Sequence, residues 1–165
     1  MKNNIRSIPV PSSSVIYRYL PAAYFADCYE LKSTPSDSSA LEFYLRNVAQ
    51  TPRWVNALML IRNRIVGLFG LKNLGTLGAV DANKTAADYQ VGERVGIFSI
   101  YYLSHNEVIL TDADKHLTAK VSFYKNNDTI AASTVVHTHN WAGRIYLFFV
   151  VPVHRIIVPR MLRQL

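Results

Sequence analysis

Residues 52–70 read as one long amphipathic helix, and this helix most constrains what the chain can fold into. Pro52 suits a first helical position, Thr51 can cap the start, and Gly70 suits the left-handed residue that closes a helix. At about 100° per residue, Trp54, Leu58, Ile61, Ile65, Leu68 and Phe69 fall on one narrow arc. Such a helix is expected to lie across an apolar surface. From Glu93 onward the apolar period changes to two, which predicts the sheet that supplies that surface.

Strands are predicted at about 95–104, 107–111, 116–125, 129–138 and 144–151. The segments between them hold turn residues: His105-Asn106, Asp112-Ala113-Asp114, Asn126-Asn127-Asp128 and Asn140-Trp141-Ala142-Gly143. A last helix over about 153–165 carries Val153, Ile157, Met161 and Leu165 on one side, and Pro159 inside it is expected to kink or split it. Upstream, residues 1–23 read as irregular and 24–31 as a first strand. Ser39 and Glu42 have capping-box spacing and open a helix through Leu41, Tyr44, Leu45 and Val48. Residues 71–92 show no sustained period and read as a long loop with room for one short helical turn; a loop of that length is a candidate lid. The expected fold is α+β and helix-grip-like. A curved antiparallel sheet packs against a long helix and a C-terminal helix, in a single domain over 1–165.

With 165 residues, half of them hydrophobic and 18 % charged, the chain can bury a core without metals or disulfides. The single cysteine, Cys28, has no partner within the chain and no activating motif, so a packed thiol in a reducing compartment is expected. Lys2 and Arg6 are not followed by an apolar region, and the apolar run 145–153 contains Pro152 and is short for a bilayer. The expectation is a cytoplasmic protein with no signal peptide and no membrane span. The net charge of +7 is scattered, with clusters only at Arg62/Arg64 and at Arg155/Arg160/Arg163. No helix-turn-helix, zinc-finger, RNP or KH pattern accompanies it, so a solvated basic face is expected rather than nucleic acid.

Several strings are family-specific: Pro52-Arg53-Trp54-Val55, Leu60-Ile61-Arg62-Asn63-Arg64, Phe69-Gly70-Leu71-Lys72, Asp114-Lys115-His116-Leu117, Gly143-Arg144-Ile145-Tyr146 and Pro152-Val153-His154-Arg155. Together they resemble a bacterial domain-of-unknown-function family over about residues 15–163. That domain stands alone or is fused behind a short-chain-dehydrogenase-like domain. The family in turn resembles the START-related helix-grip superfamily, SRPBCC, whose members enclose a cavity for apolar ligands between sheet and helix. The resemblance implies a fold and a ligand class; it brings no activity. Most helix-grip proteins carry their longest helix at the C-terminus, whereas this sequence places its longest at 52–70.

Arg62 falls among Trp54, Val55, Leu58, Ile65, Val66 and Phe69, inside the wider apolar arc, and a buried guanidinium needs a carboxylate, carbonyls, a ligand anion or a path to water. His154 shares a helical arc with Ile157, Met161 and Leu165, so its ring is expected to face the sheet as a core histidine or a polar anchor. His137 and His139 have H-x-H spacing, with His116, His154 or Glu107 as conceivable further ligands, yet no spacing enforces a site and no metal is expected. Asp112 and Asp114 sit where turn chemistry is expected, and the Gly75/Gly78 segment carries no nucleotide motif. The expected function is non-catalytic binding of a small apolar or amphipathic molecule by Arg62, His154, His116, Trp54 and Tyr146, without a cofactor. The alternatives are a protein-partner module acting with a reductase, or as a homodimer, and an enzyme of cyclase, dehydratase or isomerase type.

Overall fold

Turn residues at intervals of about ten do produce sequential hairpins. The computed structural model describes residues 5–32, 37–67, 75, 77, 80–81 and 83–165. Its strands are β1 (Ile5–Ser7), β2 (Phe25–Lys32), β3 (Arg94–Val95), β4 (Phe98–Leu103), β5 (Glu107–Ala113), β6 (Leu117–Asn126) and β7 (Thr129–Thr138). They form one antiparallel sheet in the order β1-β2-β7-β6-β5-β4-β3. The β6–β7 pair is closed by Asn127 and Asp128, with Asn126 opposite Thr129. Asn127 holds φ +50°, a left-handed conformation that asparagine tolerates better than most residues.

β2 inserts beside β7, pairing Phe25 with Val136 through to Lys32 with Thr129. The second strand thereby lies against the last one, and both early helices belong to the crossover between β2 and β3. The first of them, α1 (Ala40–Ala49), opens on the predicted capping box: Ser39 Oγ accepts from Glu42 N, and Ser39 N donates to Glu42. Its Leu41, Tyr44 and Val48 are buried against Val108, Leu110, Phe123, Ile130 and Ala132 of the sheet.

The sheet's other face is covered too. A 3₁₀ turn at Val15–Tyr19 presses Ile16 onto Ile109 and Val135. Consecutive residues Val108, Ile109 and Leu110 are therefore all fully buried, and β5 reads as a continuous apolar run. Each such side chain contributes about 1.5–3 kcal/mol through removal from water.

Several expectations are corrected. Residues 144–151 are helical, not a strand, and belong with the segment expected at 153–165 to one helix, α3 (Trp141–Leu162). At 22 residues it is the longest described helix, so the longest helix is the C-terminal one and not the one at 52–70. Pro152 and Pro159 lie inside it without ending it. The carbonyls they leave without a helical donor are those of Phe148 and Arg155, both exposed residues that water can reach.

Residues 1–23 are not wholly irregular, since they hold β1 and the Val15–Tyr19 turn. The long helix is α2 (Arg53–Gly67), and its arc is not a buried face: Trp54 and Ile61 are exposed, and among its described side chains Val55 is buried. The sheet surface that α2 was expected to cover is taken by α1 and α3. Finally, the Thr51 hydroxyl donates back to the Val48 carbonyl instead of capping α2, and the Pro52 carbonyl accepts the first helical bonds from Val55 and Asn56.

Leu68, Phe69 and Gly70, and much of the 71–92 segment read as a lid, lie outside the described residues; within that segment a 3₁₀ turn occupies Ala86–Asp88.

Candidate functional site

The absence of acidic residues from α2 and α3 leaves their arginines to find other partners, and tyrosine and tryptophan rings supply them. Arg62 Nε donates to Tyr146 Oη at 3.0 Å, its guanidinium lies 5.4 Å from the Tyr146 ring centre, and Nη1 donates to Asn63 Oδ1 at 3.0 Å. At the other end, the Arg160 guanidinium lies 5.5 Å from the Trp54 ring centre. Residue 54 meets residue 160 while residue 62 meets residue 146, so the two helices run in opposite directions where they touch. Three predicted residues, Arg62, Tyr146 and Trp54, thus stand on one α2–α3 seam.

Next to it, Ala57, Leu60, Ile61 and Arg64 line an open depression of about 270 Å³. Their spacing of three, one and three residues is one helix face. Arg64 is exposed, as expected of a solvated basic face, and stands at the edge of this apolar patch.

His154 lies eight residues beyond Tyr146, about 12 Å along α3. Its ring faces the sheet as expected. Nε2 lies 3.3 Å from both Asp27 Oδ1 and Asp27 Oδ2 and 3.2 Å from Thr134 Oγ1, with the Phe25 ring edge-on at 5.7 Å. Asp27 and Thr134 are register partners on β2 and β7, which places both under α3. Carboxylate and hydroxyl approach the same nitrogen, so the ring cannot relay a proton from one to the other through its two nitrogens.

Beside Asp27, the Cys28 thiol is packed as expected, and burial pushes its pKa from 9.0 up to about 11. Burial raises the Tyr44 phenol also. The folded state holds these protons more tightly than the unfolded chain, so the thiol's stabilising contribution is complete below about pH 9 and is lost as pH rises through about 11, while the phenol's loss begins only above its ordinary value of 10. Chemical denaturation midpoints should accordingly fall across that window. The Cys28→Ala variant should show a shallower fall, and an unchanged profile would reject the thiol's part in it.

His116 stands at the start of α3. Its Nδ1 lies 3.1 Å from Asn140 Oδ1, which as an acceptor fixes the proton on Nδ1, while Nε2 is buried without a hydrogen-bond partner. The same Asn140 oxygen caps α3 by accepting from Gly143 N at 3.1 Å, and Asn140 Nδ2 donates to the Lys115 carbonyl at 3.1 Å. A Cβ at residue 143 would collide with the His116 carbonyl oxygen. Gly143→Ala should therefore cost about 1–3 kcal/mol, read as a lower denaturation midpoint; wild-type stability would mean that the β5–β6 turn yields freely.

Asp114 performs the expected turn chemistry, accepting from His116 N and Leu117 N at 2.7 and 3.0 Å. His137 and His139 are engaged by the Pro21 carbonyl and the Thr118 hydroxyl, respectively. Among the described residues no group of three or more histidine, cysteine or carboxylate side chains could hold a metal ion.

Glu107, entertained as a metal ligand from sequence, is structural. It is buried, and its carboxylate accepts from Ser14 Oγ (3.0 Å), Val15 N (2.6 Å), Ile16 N (3.2 Å) and Ser122 Oγ (2.7 Å).

A protein-family model described as "Protein of unknown function (DUF2867)" matches residues 19–161. No curated protein and no solved structure matches the chain.

Proposed function

We propose a binding function for this chain, which belongs to the DUF2867 family: non-catalytic capture of a small amphipathic molecule by the outer helices. The observation that carries the reading is the depression on α2, where three apolar side chains, Ala57, Leu60 and Ile61, adjoin one guanidinium, Arg64. An apolar body would lie along the first three, and an anionic or carbonyl head would meet Arg64. Arg62, Tyr146 and Trp54 form the adjoining seam and supply further cationic and aromatic surface. The reading does not require His154 or His116 to touch the ligand, since both rings have protein partners. A binder is favoured over an enzyme because Asp27 and Thr134 converge on the same nitrogen of His154, which leaves that ring no relay.

Anilinonaphthalene sulfonate, an apolar ring system with an anionic head, is a direct probe. Arg64→Gln should weaken its binding at this site about tenfold, equivalent to about 1.4 kcal/mol, and Ile61→Asp should abolish the Arg64-dependent binding, with thermal midpoints unchanged because both residues are exposed. Native mass spectrometry should find a co-purifying small molecule in the wild type and not in Ile61→Asp. No co-purifying mass, together with probe binding indifferent to both substitutions, would reject the reading.

A further inference from the structure

The outward side of α3 is unlike the surface of an ordinary domain. Trp141, Phe148 and Phe149 are 73 %, 74 % and 68 % exposed, and Ile145, Val153 and Ile156 are exposed beside them. The Phe148 and Phe149 rings touch only edge-on, with centres 5.3 Å apart. At about 100° per residue these side chains and Pro152 occupy one half of the helix, and the opposite half carries the buried Gly143, Leu147 and Met161. The helix reaches the length and composition needed to cross a membrane, with a mean hydropathy of 1.6 over 18 residues, yet only 17 % of that window is buried.

Charge is arranged around the stripe with one sign. None of the 11 acidic residues falls within 129–165, and none within 43–80, the stretch that contains α2. Arg144 and Arg155 flank the stripe on the β2 side, where they lie over the rings of Tyr24 and Phe25. Arg160 flanks it on the α2 side, over Trp54, and Arg163 follows at the helix end. An exposed aromatic stripe rimmed by guanidiniums and free of carboxylates in its own sequence matches an anionic lipid surface in both polarity and sign.

We propose that α3 docks this domain flat on a bilayer containing anionic phospholipid, with Trp141, Ile145, Phe148, Phe149 and Ile156 entering the interface and Arg144, Arg155, Arg160 and Arg163 meeting phosphates. The helix lies on the membrane and does not cross it. Its inner side is tied to the sheet through Leu147 and through the contact of His154 with Asp27, and a spanning helix would have to abandon both. The inference is independent of the small-molecule reading, because the depression on α2 can be filled or empty without altering this face.

Vesicle co-sedimentation tests it. The protein should bind phosphatidylcholine vesicles containing phosphatidylglycerol, bind pure phosphatidylcholine at least about tenfold more weakly, and dissociate in high salt. In a Trp54→Phe background, Trp141 emission should shift to the blue on binding. Phe148→Ser/Phe149→Ser should weaken binding about a hundredfold, and Arg144→Gln/Arg155→Gln about tenfold or more. All four changed side chains are exposed, so thermal midpoints should not move, and anilinonaphthalene sulfonate binding that depends on Arg64 should survive. No vesicle binding, or binding indifferent to the phenylalanine pair, overturns the proposal. So does a dimer in sedimentation equilibrium that this pair converts to monomer while vesicles remain unbound, which would assign the face to a second copy. Retention in cell membranes after an alkaline carbonate wash would overturn the surface mode in favour of a spanning one.

Discussion

Glu107→Ala should be the most damaging single substitution in the protein, lowering stability by about 4 kcal/mol. Two of the four donors to its carboxylate are the Val15 and Ile16 amides at the head of the Val15–Tyr19 turn, and the other two are hydroxyls of Ser14 and Ser122. Hydrogen bonds to a charged acceptor contribute about 1.5–3 kcal/mol each, and donors left buried without an acceptor cost further desolvation. The loss is below the simple sum because the N-terminal segment can peel away and let water reach the freed amides. For a domain of this size, about 4 kcal/mol lowers the thermal midpoint by about 8–16 °C. Glu107→Gln should cost less, since one carbonyl oxygen survives while the new amide opposes the donors. Limited proteolysis locates the defect: cleavage should appear first in residues 8–20, which cover Ile109 and Val135. A change in midpoint too small for 1 kcal/mol would mean that water replaces the carboxylate at no cost.

Glu107 also shows where sequence reading runs out. On the chain it follows a turn at Ser104–Asn106 and looks like an exposed strand start. Its burial depends on residues 14–16, more than ninety positions earlier, in a segment where Pro9, Pro11 and the serine run 12–14 leave no periodic signal. Local rules succeeded where the physics is local. The Ser39/Glu42 capping box and the Asn127 turn are each completed within a few residues. They failed at α3 because the run Ile145-Tyr146-Leu147-Phe148-Phe149-Val150-Val151 is apolar at every position. Such a run satisfies a period of two and a period of 3.6 equally, and Pro152 then looks like a stop. The Asn140 that resembled a turn residue is a helix N-cap, as its bond from Gly143 N makes plain. The same ambiguity hid the exposed aromatic stripe: a strand of that sequence would have buried half of it in the sheet.

The fate of His154 decides how the helix layer is held to the sheet, and His154→Leu should cost about 3 kcal/mol. Asp27 is nine-tenths buried, and its Oδ2 accepts no hydrogen bond; the imidazole at 3.3 Å is what faces it from α3. Leucine would fill much of the ring's volume but leave a carboxylate beneath an apolar helix, and stranding one member of a buried pair is more costly than never having had the pair. The double variant Asp27→Leu/His154→Leu should therefore recover most of the loss, because β2 and β7 already present Phe25 and Val136 beside the site and would accept two more apolar groups. A cycle of the two single variants and the double should show a coupling of about 2 kcal/mol, read from denaturation midpoints. If His154 instead anchored a bound molecule, its replacement would change binding and leave stability alone, and the double variant would rescue nothing. Equal and additive losses from the two singles would show that histidine and aspartate stabilise the domain separately, and that the α3–sheet contact rests on Leu147 and its apolar neighbours alone.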